Sequence, residues 1–418
     1  MIRKDSQNHF SQLLGNKDFL KIWICQGFST TTINLVSFAL IMKIFETTLS
    51  TITVSFVFIF LAIPAILIGP FSGVVIDMVD RRKALVFTSL AEAAIVFCFS
   101  LVGAKIWPVY GLILLFSSLQ QFYVPAEGAS LTTVVEKKNL PAANSLFLFT
   151  VYGGLLAGAG SASLLLRVFG RRVPFVIGSL FLLIAALASY LLPREKFMTP
   201  PRIRGWEKFF QELYAGYRFI SQQQLVLFPI LLLVFIQMTL SILAILFPSF
   251  AVQVLKIEVI DAGTFLILPA AIGAILGAVL ATRLLGKLRK KRVICAGLFG
   301  FSGCLLSLSL VLPLLSDFRV PLAFTLMFFA GTAFVAVIIP TQTLIQQHTP
   351  STLRGRVFGV LGFLGMVVSL IPTFLTAALA EVIGETWVIF LISLIILGLG
   401  IYGSRGRYAL SANANHKL

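Results

Sequence analysis

Glu92 and Glu127 are carboxylic acids set inside otherwise apolar stretches of the chain. Taking a carboxylate out of water is costly unless a partner or a proton offsets its charge, so each is a candidate proton carrier. Counted from position 84, Glu92 lies about 13 Å along a helix, close to mid-bilayer depth for a membrane span. Glu127 follows Pro125, nearer the end of its own apolar run. The competing role for either acid is a neutral, hydrogen-bonded carboxyl that fixes helix packing.

A second group is Gly73-Val-Val-Ile-Asp77-Met-Val-Asp80-Arg81-Arg82-Lys83. Asp77 can meet Arg81 one turn later and the positive N-terminal end of a neighbouring helix. A contact made in only one conformation biases the equilibrium between conformations, which is how a gate works. The alternative is a static loop cluster that fixes orientation. Gly69 and Gly73, four apart, are expected to let another helix approach closely, as are Gly153-Gly154-x3-Gly158-x-Gly160 and Gly359, Gly362 and Gly365. Uncharged polar residues at helical spacing form a third group: Gln26, Thr30, Asn34 and Ser37; Ser117 and Gln121; Gln237 and Ser241; Gln342 and Gln346. Set among 39 Phe, they suit either a cavity for an amphiphilic organic molecule or hydrogen bonds between helices.

Other chemistries lack their residues. Cys25, Cys98, Cys295 and Cys304 form no CxxC pair, and His9, His348 and His416 are scattered without metal or triad spacing. No cofactor is expected. No GxxxxGK[ST] loop occurs, which disfavours an ATP-driven pump, and a membrane-embedded enzyme would need a clustered nucleophile, base or metal set that the chain lacks.

These residues must be positioned by membrane helices. The 418 residues are 58% hydrophobic and 12% charged, too little polar surface for a soluble globule of that length. About twelve apolar runs of spanning length follow one another, at 19–44, 51–76, 84–104, 108–131, 145–166, 174–192, 225–250, 262–282, 293–314, 321–345, 357–380 and 386–404. The expected class is therefore an all-α integral membrane protein. Most of the 33 Lys and Arg fall in loops on the side of the N-terminus, and the opposite side holds only Lys43, Lys105, Arg167, Arg171, Arg172, Lys256 and Arg319. The positive-inside rule then places both termini in the cytoplasm. The net charge of +17 is spent on orientation and anionic lipid, which argues against nucleic acid as a partner. The polar first 18 residues and the length of the run after them predict an uncleaved N-terminus.

The one long polar interval, 193–224, carries Trp206, Phe209, Phe210, Leu213, Tyr217 and Ile220 on one helical stripe, so it is expected to be an amphipathic helix at the membrane surface. It separates a six-span N-terminal bundle, 1–192, from a six-span C-terminal bundle with its tail, 225–418. The halves echo one another: Gly69-x3-Gly73-x3-Asp77 ends the second run and Gly273-x3-Gly277-x3-Ala281 the eighth, each followed by a basic loop. A weaker echo joins the ends of the fourth and tenth. Duplicated halves of this kind are a transporter architecture.

The Gly73 to Lys83 segment resembles the signature that follows the second helix in the major facilitator superfamily. Pro125-Ala126, Leu140 with Ala143-Asn144-Ser145-Leu146, and Pro350-x3-Arg354-Gly355-Arg356-Val357 look like its drug and macrolide efflux and siderophore-export branch. The resemblance covers essentially the whole chain. It implies twelve helices in two pseudo-symmetric six-helix bundles, and alternating-access export of a small organic molecule driven by protons. It also implies a bacterial cytoplasmic membrane, a monomer in contact with lipid, and gating by the Asp77 segment with Arg354 and Arg356. Two departures stand out: the first span has no acid, and the glycines of the fifth have no proline among them. A lipid or lysophospholipid translocator on the same fold is the competing expectation.

Overall fold

The computed structural model describes residues 12–103, 105–136, 139–193, 206–285, 288–315, 317–350 and 353–405. Among these, all regular structure is helical. Eleven helices are long and apolar enough to cross a bilayer, and the pair Thr51–Leu67 with Phe71–Met78, bent by 57°, makes a twelfth when taken as one crossing. Span 1 is Lys17–Thr48, span 2 the pair Thr51–Leu67 and Gly69–Met78, span 3 Arg81–Leu101, span 4 Ile106–Val134, span 5 Leu140–Phe169 and span 6 Val173–Tyr190. After the helix Trp206–Gln222 come span 7 (Gln224–Phe250), span 8 (Leu268–Leu285), span 9 (Lys290–Leu306), span 10 (Arg319–His348), span 11 (Arg354–Ile383) and span 12 (Glu385–Arg405).

The breaks have local causes. Pro70 has no backbone N–H to continue the ladder of span 2, so the helix stops at Leu67 and restarts from Ile68, whose carbonyl accepts from Phe71 and Ser72. Span 7 runs on from Pro248 into a π-helical turn, Ala251–Leu255, and span 8 is entered through another, Gly263–Ile267, just before Pro269. Span 9 relaxes through a π-turn, Ser307–Val311, into a 3-10 turn at Pro313. Apolar content marks these stretches as spanning, but hydropathy alone does not register where a helix widens, tightens or breaks.

Two compact units divide the chain: Met1–Lys43 with Val57–Trp206, and Ile44–Phe56 with Glu207–Leu418. In the first, span 3 packs on spans 4 and 6, and the second half of span 2 packs on span 4. Spans 1 and 5 meet through glycine: a Cβ at Gly154 would lie 2.8 Å from Thr30 Cγ2, and one at Gly158 would strike Thr31 O and lie 2.8 Å from Asn34 Cβ. The second unit repeats the pattern, with span 9 on spans 10 and 12, span 8 on span 10, and span 7 on span 11. There the closest approach is backbone to backbone, Gly273 against Phe328 O and Gly331 against Ala270 O.

The glycines of the first-half motif behave otherwise. Gly73 has open space where a Cβ would be, and Gly69 has only Gln121 Oε1 at an ordinary 3.4 Å. The expected close helix approach is therefore absent at Gly69 and Gly73 and present at Gly273 and Gly277, where span 10 fills the groove with its own backbone. The described part of the polar interval, Trp206–Gln222, is helical as expected. Its Ile220 is buried with Val226, Ile230, Val357 and Val360, and Gly216 lies against Arg356 O, so this end docks on spans 7 and 11. Tyr214 and Tyr217 stay exposed. The side chains of Trp206, Phe209, Phe210 and Leu213, like both chain tails and Lys287, lie outside the described residues.

Candidate functional site

Span 3 carries Ser89 and Glu92 one turn apart, and both are fully buried at 0% exposure. Neither carboxyl oxygen of Glu92 has a partner at full hydrogen-bond geometry, and Gln120 of span 4 faces it as the nearest donor. Span 1 adds two more buried polar atoms, Gln26 Oε1 and Ser29 Oγ, neither in a full hydrogen bond, with Ser29 facing Tyr123. Glu127, partly exposed, lies one helical turn beyond Tyr123, so the two share a face of span 4. Tyr123 Oη stands 3.1 Å from Glu127 Oε1 and 3.1 Å from Cys25 Sγ of span 1, and Cys25 Sγ stands 3.0 Å from Ser189 Oγ of span 6. Ser189 in turn donates to Ala185 O at 2.9 Å. Glu92 and Glu127 are close enough to feel each other's charge. Among the described residues neither belongs to an ion pair. The two acids singled out from sequence thus sit in one polar cluster built from spans 1, 3, 4 and 6, whose ionised form would have no cation to offset its desolvation.

At the end of span 2, Asp77 is about half exposed and faces Arg81 Nη2 at 3.7 Å. Arg81 also reaches Ala129 O of span 4 at 3.5 Å. Asp80 has a structural task of its own: it caps span 3, its Oδ1 accepting from Lys83 N at 3.3 Å. Arg82 lies over the Tyr190 ring of span 6 at 4.6 Å, and Lys83 is exposed. The loop is therefore pinned to spans 4 and 6, with Asp77 the acid left largely in solvent. Arg356 is exposed, and the Arg354 side chain lies outside the described residues.

The uncharged stripes separate into two kinds. Gln26 donates to Phe147 O of span 5 at 3.4 Å and Ser117 to Leu61 O of span 2 at 2.6 Å, both bonds between helices. Asn34 donates to Thr30 O at 2.8 Å, Gln121 to Ser117 O at 3.1 Å and Ser241 to Gln237 O at 3.3 Å, all within their own helices. Thr30 packs under Gly154, and Ser37 is half-buried. Gln237 and Gln346 are exposed and Gln342 is partly so. Gln237 lies over Gly365, where a Cβ would stand 2.9 Å from its Oε1.

Several polar residues escaped the sequence reading. Tyr123, Cys25 and Ser189 look like ordinary helix residues, and only the fold brings them to Glu127. Glu385 was just outside the expected twelfth span, yet it is 4% exposed and accepts from Ser249 of span 7. Lys43 donates to Phe99 O and Val102 O at the end of span 3, and Arg319 to Leu315 O and Pro313 O beyond span 9. Two cations on the sparsely charged side thus sit on helix C-terminal carbonyls, where positive charge is favoured.

Residues 22–372 match the family profile of the Major Facilitator Superfamily. An uncharacterized MFS-type transporter, YfiS of Bacillus subtilis (strain 168), is 25% identical over 377 residues, covering 87% of this chain and 86% of the relative. Among solved structures, the nucleoside transporter NupG (D323A mutant) superposes with a TM-score of 0.72 at 15% identity, over 92% of this chain and 97% of that one. A POT family transporter in complex with a thioalcohol-conjugated peptide gives 0.72 at 9% identity, over 91% and 94%. A bacterial homolog of the human lysosomal transporter Spinster gives 0.69 at 13%, over 92% and 97%. At these identities the solved structures establish the fold alone.

Proposed function

The chain belongs to the Major Facilitator Superfamily of multi-pass membrane transporters, and on that premise we propose that it exports a small amphiphilic organic compound, drug-like or siderophore-like, by alternating access driven by protons. The observation that carries the reading is the carboxyl pair of the first unit, Glu92 fully buried and Glu127 partly exposed, which no cation among the described residues neutralises. A carboxylate in that setting bears an uncompensated desolvation cost, and a bound proton removes it. Proton occupancy and the packing of spans 1, 3, 4 and 6 are then coupled energies. Glu127, the more accessible acid, exchanges the proton with water, and Glu92 holds the sealed position. The polar ends of Gln237, Gln342 and Gln346 are the side chains offered to substrate.

In this reading the protein works as a monomer in the bacterial cytoplasmic membrane, with both termini and the 193–224 interval in the cytoplasm. Asp77 leaves Arg81 to meet the N-terminal end of a neighbouring helix in one access state only, which makes it the gate.

The test is uptake by proteoliposomes of a panel of amphiphilic dyes, ethidium among them, with and without an imposed pH gradient. Glu92→Gln, Glu127→Gln and the double variant are expected to keep exchange down a dye gradient and to lose accumulation driven by the pH gradient. If all three retain gradient-driven accumulation, neither acid couples protons. A lipid or lysophospholipid translocator on the same fold then becomes the better reading.

A further inference from the structure

The hydrogen-bonded chain that begins at Glu127 has fewer protons than contacts, and counting them fixes its direction. Ser189 has one hydroxyl proton, committed to Ala185 O at 2.9 Å. Its oxygen therefore accepts in the 3.0 Å contact with Cys25, and that contact uses the thiol proton. Cys25 Sγ can then only accept in its 3.1 Å contact with Tyr123, which uses the phenol proton. Tyr123 donates to Glu127 Oε1 at 3.1 Å when the carboxyl is ionised, but with its one proton on Cys25 that contact closes only when the carboxyl itself supplies a proton. With Glu127 protonated, each contact from Glu127 through Tyr123, Cys25 and Ser189 to Ala185 O holds one proton.

Removing that proton forces a rearrangement. The phenol proton turns to the carboxylate, and Tyr123 Oη and Cys25 Sγ then face each other at 3.1 Å with no proton between them unless the thiol turns to Tyr123. If it does, Ser189 Oγ loses its donor. No covalent bond other than the carboxyl O–H changes, yet Tyr123 and Cys25 on two spans change partner and Ser189 on a third loses its donor.

We propose that this chain transmits the protonation state of Glu127 on span 4 to spans 1 and 6 by reversing its donor direction, with Tyr123 and Cys25 as positioning residues. The proposal rests on the reading that Glu127 takes up a proton. The titratable groups facing Glu127 are Tyr123 on its own span, Cys25 on span 1 and Glu92 on span 3. Span 6 contributes the hydroxyl of Ser189. Of the basic residues in the loop between spans 2 and 3, Arg81 is engaged with Asp77 and Ala129 O and Arg82 with the Tyr190 ring, while Lys83 is exposed.

The experiment is infrared difference spectroscopy against pH on the full-length protein in lipid nanodiscs. Cys98, Cys295 and Cys304 are replaced by Ala, so that the one S–H stretch belongs to Cys25. The carboxylic C=O stretch of Glu127 is identified by its loss in Glu127→Gln. The S–H band is expected to shift with the same midpoint as the Glu127 C=O band, to stop shifting in Glu127→Gln, and to stop shifting in Tyr123→Phe while the C=O band still titrates. Ser189→Ala, a smaller change, serves if Tyr123→Phe does not fold, and it too is expected to remove the shift. An S–H band that stays fixed while the C=O band titrates overturns the chain and leaves the proton reading of Glu127 standing. An S–H shift that persists in Glu127→Gln also overturns the chain. A C=O band that never titrates overturns both.

Discussion

Gly331→Ala sets two opposing terms against each other, and the geometry decides between them. Replacing glycine by alanine inside a helix is intrinsically favourable by about 1 kcal/mol. At Gly331, however, the new Cβ would strike Ala270 O and lie 2.7 Å from the Ala270 carbonyl carbon and 2.9 Å from its Cα. All three are backbone atoms, so no side chain can rotate away; spans 8 and 10 must move apart along a tightly packed seam. Overpacking of this kind costs roughly 1–3 kcal/mol, and a backbone obstacle places the cost at the upper end. The expected net loss is about 2 kcal/mol, combining the two terms. Gly398→Ala is the control: it sits in span 12 with nothing within 4 Å of its Cβ position, so it keeps the propensity gain. Reversible unfolding of the purified protein in mixed micelles by increasing SDS fraction reads both, and the variants are expected to differ by about 3 kcal/mol. Gly273→Ala loads the same seam from the other side, so the double variant is expected to cost less than the sum, one separation accommodating both methyl groups. If Gly331→Ala and Gly398→Ala unfold together, spans 8 and 10 are not held by this backbone contact.

Asp77→Asn keeps the size of the side chain and removes its charge, so transport of the dye panel is expected to fall strongly while membrane insertion is unchanged; wild-type flux at equal expression would return Asp77 to a static role. Orientation is checked with single cysteines in a background lacking the native four. A cysteine at the exposed Ser221 is expected to resist a membrane-impermeant maleimide applied to intact cells, and one at the exposed Asp317 to react. Labelling of Ser221→Cys from outside would reverse the topology.

Apolar length made the spans legible because it acts along the chain: a bilayer demands an uninterrupted apolar run. The position of Glu92 was legible for the same reason, since an acid stands out in an apolar run. What could not be read is what meets it. Gln120 and Ser89 are common residues, and Cys25, Tyr123 and Ser189 become a chain only after three helices pack at a particular rotation. The motif glycines show the same limit from the other side. Gly69 and Gly273 stand in matching sequence patterns, yet only Gly273 is pressed against a backbone, because helix contact depends on what the neighbour presents.

The internal duplication gives the acids a further meaning. Pro125 in span 4 and Pro340 in span 10 each interrupt the second half of a long helix, and two residues past each stand Glu127 and Gln342. Counted from the first residues of spans 3 and 9, the position of Glu92 is matched by Phe301, a buried apolar side chain. The second half thus keeps an amide where the first has an acid, and an aromatic ring where the first has a buried carboxyl. An amide matches a carboxyl in shape and hydrogen-bonding reach but cannot bind or release a proton near neutrality. Glu127→Gln therefore gives the first half the chemistry the second already has, so its packing is expected to tolerate the change. If coupling runs through these acids, it belongs to one half of the duplication. The mirror exchange, Gln342→Glu, is then the informative gain-of-charge variant: it adds a titratable group to the second half without moving a backbone atom, and a second step in proton uptake per protein would be its signature. A proton count unchanged by Gln342→Glu would mean that the new acid never enters its ionised form, and that the two halves differ in surroundings as well as in residue.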